Sequence, residues 1–221
     1  DAGYTVKNLQ DAGYTTEKLR DAGFTAKELR NAGYTIKELL DVGFTVKELR
    51  DAGFTAKELR NAGYTIKELL DVGFTVKELK ESGFSVKNLQ DAGYTVKELR
   101  DGGYTAKELK YEKFTISELR TVGYTAKDLR AAGYSVFSLK NVGFTLKEII
   151  DAGYTVKELE EGRILYTIED LKAGGYTLKK IIDGGYTAGQ LRAAGYTLKE
   201  LIDVGFTFVD LRVAGYTIKE C

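Results

Sequence analysis

The chain contains no proline, histidine, tryptophan or methionine, and Cys221 is its only cysteine. A single thiol excludes an intramolecular disulfide framework and a cysteine-rich zinc site. Without histidine, the chain also lacks the most common general base and metal ligand of proteins. We therefore expect neither a metal nor a cofactor. Cys221 occupies a position that is otherwise leucine or isoleucine, so a small buried residue is favoured over a reactive or intermolecular thiol.

The chain also lacks an excess of charge of one sign, because 33 basic and 33 acidic residues give a formal net charge of zero. A nucleic-acid-binding domain and a polybasic membrane-surface segment both need a basic excess. No apolar run approaches the roughly 18 residues that indicate a membrane span, so no membrane partner is expected. The sequence begins at Asp1 without any methionine. We expect a processed product or an excised piece of a longer repeat tract, which leaves the localisation open.

What the chain does contain is one ten-residue phrase, seen at 21–30 as Asp-Ala-Gly-Phe-Thr-Ala-Lys-Glu-Leu-Arg. We number the positions within each unit from place one to place ten. Place four is aromatic in all 22 units, place three is glycine in 20, and place nine is leucine in 19. Self-similarity at a fixed period is the signature of a repeat architecture.

Each unit carries the start and stop signals of a short helix. Thr25 is a good N-cap because its hydroxyl accepts a hydrogen bond from a free backbone N–H, and Glu28 three residues on completes a capping box. Phe24 and Leu29 have the spacing of a hydrophobic staple. Gly33 stands where a left-handed residue ends a helix, and the aromatic after it can pack back on Leu29 as in a Schellman motif. One aromatic residue therefore closes one helix and opens the next.

The pattern predicts an all-α solenoid of about 22 short helices, one per unit, wound as a continuous superhelix around an aromatic–leucine core. Each helix is expected to have about seven or eight residues, too few to persist alone in water, so neighbouring units must stabilise one another. A β-solenoid is the competing architecture, but the apolar spacing within a unit fails the alternation of a strand. The number of helices per coil and the handedness stay open.

We expect a single array over 1–221 with two irregular units. In the unit 111–120, Lys113 replaces the glycine, so it must accept a left-handed backbone or change the corner, and a local irregularity is expected there. The unit 161–172 has two extra residues and is expected to form a bulged corner at 162–165.

A longer period appears early in the chain, where residues 21–50 and 51–80 match at every position but the last. One interpretation is a recent duplication of three units. The other is a coil of three helices, which would give Leu40 and Leu70 the same surroundings. Duplication is favoured because the three-unit rhythm is lost beyond residue 80.

The phrase resembles tandem decapeptide repeat tracts of the AGYTxKELR kind found in some microbial and viral proteins. The resemblance covers essentially the whole chain and rests on the glycine, the aromatic, the threonine and the leucine of each unit. Such tracts look like a short-helix relative of the α-solenoid families and do not match the longer tetratricopeptide, ankyrin, HEAT or leucine-rich units. The resemblance implies an architecture and a scaffold or interaction role, and it brings no functional residues with it.

The sequence contains no recognisable catalytic constellation. Nearly all carboxylates fall at places one and eight, where helix capping and a solvated face explain them. The glycines recur singly as helix stops and do not form a phosphate-binding loop. We therefore expect no enzymatic activity and no small-molecule substrate.

The charged face of the repeat supports two interpretations. Lysine occupies place seven in 16 units. Because equal places stack in a solenoid, rows of lysine would lie beside rows of acidic residues and arginine. A solvated face with many weak ion pairs is the favoured interpretation. The alternative is a periodic surface for a periodic partner, such as a filament, a polymer or another copy of the chain.

Two apolar residues, Phe137 and Val209, stand where lysine is usual and are the best single-residue candidates for contact with a partner. The leading functional interpretation is a non-enzymatic structural or scaffold element, part of a longer protein or assembly, because the surface places are nearly as uniform as the core. A protein- or peptide-binding solenoid is the alternative, since the units 111–120, 131–140 and 161–172 depart from the consensus. A nucleic-acid-binding repeat comes third, disfavoured by the neutral charge and by an apolar, inward place six. The expected partner is a protein or a second copy of the chain.

Overall fold

Short helices recur along the chain at the spacing of the repeat. The computed structural model describes residues 4–162 and 166–217, and within them the chain forms 21 α-helices and no strands. The all-α prediction, with one helix per unit, is therefore confirmed. The helix expected in the last unit, Cys221 and most of the expected bulge, at 163–165, lie outside the described residues.

The helices fall into two compact segments, residues 1–104 and residues 105–221. The first segment contains ten helices of six residues each: α1 (Val6–Asp11), α2 (Thr16–Asp21), α3 (Ala26–Asn31), α4 (Ile36–Asp41), α5 (Val46–Asp51), α6 (Ala56–Asn61), α7 (Ile66–Asp71), α8 (Val76–Glu81), α9 (Val86–Asp91) and α10 (Val96–Asp101). The second segment contains α11 (Ala106–Tyr111), α12 (Ile116–Thr121), α13 (Ala126–Ala131), α14 (Val136–Asn141), α15 (Leu146–Asp151), α16 (Val156–Glu161), α17 (Ile168–Gly174), α18 (Leu178–Asp183), α19 (Ala188–Ala193), α20 (Leu198–Asp203) and α21 (Phe208–Val213).

The helices are shorter than the seven or eight residues expected from the sequence. All have six residues except α17, which has seven. The reason is visible at both ends of α3, where Thr25 is an extended N-cap and Ala32 is already the C-cap. Counting both caps gives eight residues, so the prediction included two positions that flank the helix. No helix in the described part of the chain is long and apolar enough to cross a membrane.

Each helix begins at the threonine or serine of place five. In α3 the backbone N–H of Glu28 donates to the Thr25 hydroxyl at 3.2 Å, and the Thr25 N–H donates to the Glu28 carboxylate at 2.8 Å. The hydroxyl bond recurs at every described helix, and all but α2, α14 and α18 add the reciprocal bond of the capping box. The capping box satisfies backbone donors that the helix itself leaves free.

Most helices end at the glycine of place three in a Schellman motif. After α3 the Gly33 N–H donates to the Arg30 carbonyl at 2.9 Å, and the Tyr34 N–H donates to the Leu29 carbonyl at 3.1 Å. Gly33 has a φ of +97°, the left-handed conformation that glycine adopts without a steric penalty. The predicted helix stop is therefore confirmed.

The corner at Lys113 takes the first of the two alternatives predicted for it. Lys113 adopts a left-handed backbone with φ of +67°. Its N–H still donates to the Lys110 carbonyl at 3.0 Å, and the Phe114 N–H donates to the Leu109 carbonyl at 3.2 Å. The expected irregularity is thus confined to the backbone conformation of a single residue, because the Schellman hydrogen bonds survive.

Replacing Lys113 by glycine is expected to raise the free energy of unfolding by about 1 kcal/mol, since a residue with a Cβ is strained in the left-handed region. Urea denaturation followed by circular dichroism measures the change. Gly195→Lys is the matched control, because Gly195 has a φ of +85° and open space around its missing side chain. It should lower stability by a similar amount. A Lys113→Gly protein no more stable than the parent would show that this corner carries no strain.

Within each compact segment, helices stack on the helix two positions further along the chain. In the first segment α3 packs on α5, α6 on α8 and α8 on α10. In the second segment the same relation joins α11 to α13, α13 to α15, α14 to α16, α15 to α17, α16 to α18 and α19 to α21. The coil therefore contains two helices and about 20 residues, and a coil of three helices is wrong. The near-identity of residues 21–50 and 51–80 is therefore explained by a duplication of three units, the interpretation that the sequence favoured.

Tyrosine hydroxyls at place four report the same spacing. The hydroxyl of Tyr134 donates to the Phe114 carbonyl at 3.5 Å, and that of Tyr216 donates to the Tyr196 carbonyl at 3.3 Å. Tyr176 reaches the carbonyl of Tyr154 across the two inserted residues. Burial, followed by the charge of Glu158, raises the pKa of Tyr176 to about 12, so its hydroxyl stays a protonated donor.

The core contains the leucines of place nine, many of the aromatic residues of place four, and small or branched apolar residues of places two and six such as Ala52 and Val86. Leu29, Leu39 and Leu49 have no exposed side-chain surface, and Phe44 and Phe54 are also buried. Burial of one large apolar side chain contributes roughly 1.5–3 kcal/mol. The predicted aromatic–leucine core is present in both compact segments of the chain.

Candidate functional site

A basic side chain at place ten links many of the helices to the corner that follows the helix two further on. Arg30, in α3, donates from Nη1 to the carbonyl of Ala52 at 3.0 Å. Its guanidinium carbon lies 4.5 Å from the centroid of the Phe54 ring. The carbonyl belongs to the C-cap of α5, where a helix leaves backbone acceptors without a partner. One arginine therefore caps a helix end and forms a cation–π contact at the same time.

This contact, which we call the cation ladder, recurs in both compact segments of the chain. In each case a place-ten arginine or lysine lies over the place-four ring that follows the helix two further along. The pairs are Arg20–Phe44, Arg30–Phe54, Arg50–Phe74, Arg60–Phe84, Lys80–Tyr104, Lys110–Tyr134, Arg120–Phe144, Arg130–Tyr154, Lys140–Tyr166, Lys172–Tyr196 and Arg192–Tyr216.

The corner glycine makes room for the guanidinium. A Cβ built on Gly53 would lie 2.6 Å from Nη1 of Arg30, which is closer than such atoms approach. Around Gly63 there is nothing within 4 Å, because the corresponding place-ten residue is Leu40. Glycine is thus favoured by the backbone conformation at both corners, and by the close approach of a side chain at only one of them.

The carboxylates of place eight are used in capping. The backbone N–H of Thr25, followed by its hydroxyl, lowers the pKa of Glu28 below the ordinary value. The same two bonds, in the same order, lower the pKa of four further capping glutamates: Glu48, Glu78, Glu148 and Glu200. A lowered pKa in the folded state means that the unfolded state binds more protons near pH 4.5, the ordinary value for this group.

We expect the free energy of unfolding to fall as the pH drops from about 5 to about 3, because the folded carboxylates must then be protonated. Urea titrations across this range measure the effect. Replacing Glu28, Glu48, Glu78 and Glu148 by glutamine should flatten the pH dependence while keeping the caps, as Gln190 accepts the same N–H bond at 2.8 Å. A pH dependence unchanged by the four substitutions would contradict this role for the capping carboxylates.

The lysines of place seven lie on the surface. Four of them pair with the acid four residues on, at 2.8 to 3.2 Å: Lys37–Asp41, Lys87–Asp91, Lys97–Asp101 and Lys147–Asp151. Both partners of each pair are mostly exposed, so each pair contributes little to the stability of the fold. This arrangement matches the solvated-face interpretation of the charges.

Surface grooves lie between helices that stack two apart. The groove between α16 and α18 is lined by Ile150, Lys157, Lys180 and Asp183. Two others share one lining, formed by a place-ten cation, two aromatic rings, a place-seven lysine and two carboxylates. Between α3 and α5 these are Arg20, Phe24, Phe44, Lys27, Glu48 and Asp51, around about 490 Å³. Between α13 and α15 they are Arg120, Tyr124, Phe144, Lys127, Glu148 and Asp151, around about 540 Å³.

The groove between α14 and α16 departs from this lining at the residue singled out in the sequence. Phe137 replaces the lysine and lines a groove of about 600 Å³ with Tyr134, Tyr154, Glu158 and Glu161. Its side chain is 54% exposed. The structure therefore places Phe137 on the surface and at a concave feature.

The second candidate, Val209, does not line that groove. It lies on α21 and is 68% exposed, next to Phe208 and near the exposed Val213 of the same helix. Phe137 and Val209 are thus both exposed, as expected, but each has its own surroundings.

Sequence reasoning missed the cation ladder. Place ten carries arginine or lysine in 13 units, leucine or isoleucine in five (among them Leu40 and Leu70), and glutamine or glutamate in three. The signal was therefore present as a position occupied mainly by a cation or an apolar residue. It could not be interpreted without knowing which corner lies above which helix.

The fold and these contacts define an α-helical tandem-repeat protein whose helices are linked, through the cation ladder, to corners two helices further on. The family model described as Decapeptide repeat region matches residues 1–56, 34–115, 93–165 and 162–221, so the chain belongs to that family. The resemblance to decapeptide repeat tracts is thereby confirmed. None of the curated proteins compared with the chain matches it.

Proposed function

We propose that the chain is a non-enzymatic structural or scaffold element of a longer protein or assembly. The cation ladder carries this proposal. Its arginines and lysines recur along the chain and hold one helix against the corner that follows another. Arg30 is committed to Ala52 and Phe54, and Arg130 is committed in the same way to Ala152 and Tyr154.

The absence of catalysis is part of the proposal. It is supported by the use of the place-eight carboxylates, which accept two hydrogen bonds from their own N-cap residue, as Glu28 does from Thr25. A carboxylate held in this way has a lowered pKa and is a poor general acid or base near neutral pH.

A scaffold with a periodic surface is expected to associate with further copies of itself. Exposed lysines and acidic residues recur every ten residues, so weak contacts between two copies add up when they pair in register. Small-angle X-ray scattering over a tenfold concentration range, with negative-stain microscopy of the same samples, measures this. We expect the radius of gyration to rise with concentration. A constant radius of gyration would contradict assembly and leave the second candidate function in the lead.

The second candidate is a protein- or peptide-binding module, and one observation favours it. Phe137 is an exposed ring in a groove where equivalent positions carry lysine. Exposed aromatic residues at a concave surface are common anchors for protein partners.

Under this second function, Phe137→Lys should weaken partner binding while leaving helicity intact, because it restores the residue that other units carry at place seven. Affinity measurement and circular dichroism on the same preparation test the prediction. Unchanged affinity would remove Phe137 from the binding surface.

A further inference from the structure

The groove between α14 and α16, here called the Phe137 groove, lacks the place-seven lysine that lines the grooves equivalent to it. The groove between α13 and α15 is lined by two basic residues, Arg120 and Lys127, and two carboxylates. The Phe137 groove keeps both carboxylates, Glu158 and Glu161, but only one basic residue. It is therefore formally negative where the equivalent groove is neutral.

The one basic residue of the Phe137 groove is already engaged. Nη2 of Arg130 lies 3.5 Å from Oε2 of Glu158, and its guanidinium carbon lies 5.0 Å from the centroid of the Tyr154 ring. No basic side chain in the described part of the chain forms an ion pair with Glu161. The Phe137 groove thus contains Glu161 but no lysine, whereas the groove between α13 and α15 contains Lys127.

Aromatic rings complete the surroundings of that carboxylate. Tyr134, Phe137 and Tyr154 line the groove, and Phe137 is the ring that is largely exposed. An exposed ring beside a carboxylate attracts organic cations, because the ring face and the anion both favour positive charge. A lysine or arginine side chain also has an apolar stem that covers an aromatic surface.

We propose that the Phe137 groove binds a lysine or arginine side chain of a partner protein, with its stem on Phe137 and its charge facing Glu161. The ligand supplies the cation that place seven supplies elsewhere in the repeat. This inference rests on the second candidate function and names the chemistry of its ligand.

Selective labelling of phenylalanine with ¹⁵N provides a direct test, since the chain has 10 phenylalanines and so gives few amide signals. The probe is a blocked peptide with one lysine between glycine and serine residues. The controls are the same peptide with norleucine or glutamate in place of lysine. We expect saturable shifts at Phe137 with the lysine peptide, and weaker or no shifts with the controls.

Two substitutions separate this site from general charge attraction. Glu161→Gln keeps the Phe137 signal and should weaken binding of the lysine peptide at least about threefold. Lys27→Phe transfers the ring to the groove between α3 and α5, which contains Asp51. It should create a second responding signal at position 27.

Three results would overturn the inference. Equal shifts with norleucine would mean that the groove binds an apolar group, so the basic ligand would be wrong while a binding role survived. Equal shifts of all phenylalanine signals would mean non-specific attraction. No shift with any peptide would remove the groove as a docking site. The scattering experiment is independent of all three, so failure of the scaffold proposal is recognised separately.

Discussion

Leu39→Ala is expected to lower the free energy of unfolding by about 2–5 kcal/mol. Leu39 has no exposed surface and stands at place nine of α4, where the core is formed. Truncation removes the transfer free energy of the buried atoms and leaves a cavity that neighbouring helices fill only in part. Urea denaturation followed by circular dichroism measures the loss.

The matched control lies one residue further along the same helix. Leu40 is only half-buried and occupies place ten, where other units carry the ladder cation. Leu40→Ala removes the same atoms from a less enclosed position, so we expect a loss of about 1–2 kcal/mol. Equal losses at the two positions would contradict a core centred on place nine.

Gly53→Ala has the second largest expected effect, a loss of about 2 kcal/mol. The new Cβ must adopt a φ of +92° and displace Nη1 of Arg30, which lies 2.6 Å from its position. The left-handed backbone costs about 1 kcal/mol, and losing the hydrogen bond from Arg30 to Ala52 costs about another.

A second glycine separates the two contributions. Gly33 has a φ of +97° but nothing within 4 Å of its missing side chain, so Gly33→Ala should cost only about 1 kcal/mol. In an Arg30→Leu background, Gly53→Ala should fall to the same value. Thermal or urea denaturation of the parent, the three single variants and the Arg30→Leu/Gly53→Ala double variant decides this. Equal costs in the parent background would mean that the guanidinium moves aside freely.

The helices themselves could be predicted because their signals are local. Thr25, Glu28 and Gly33 lie within nine residues of one another, and capping boxes and Schellman motifs involve only hydrogen bonds of that range. The sequence also reduced Lys113 to two alternatives, and the structure selects the left-handed one.

The stacking of helices could not be predicted, because a near-perfect repeat looks the same whichever unit lies above which. A coil of two helices and a coil of three bring the same residue types together. Only breaks in the repeat carry information, and Leu40 and Leu70 were interpreted as a possible three-helix period. The structure shows them at place ten, where they interrupt the cation ladder.

The candidate site was predicted in part. Exposure of Phe137 followed from its position among surface lysines. Its groove did not, since the groove brings α14 together with Glu158 and Glu161 of α16. Those residues lie more than 20 positions further along the chain, and their proximity depends on the stacking that the sequence left open.

The stacking of each helix on the helix two further along is most directly tested by a double-mutant cycle between Arg30 and Phe54. With Arg30→Leu and Phe54→Leu, we expect a coupling free energy of about 0.5–2 kcal/mol, because the guanidinium lies 4.5 Å from the ring centroid. The matched cycle pairs Arg30 with Tyr64, the aromatic one helix further, and should give a coupling within about 0.3 kcal/mol of zero. Coupling to Tyr64 in place of Phe54 would contradict the two-helix coil.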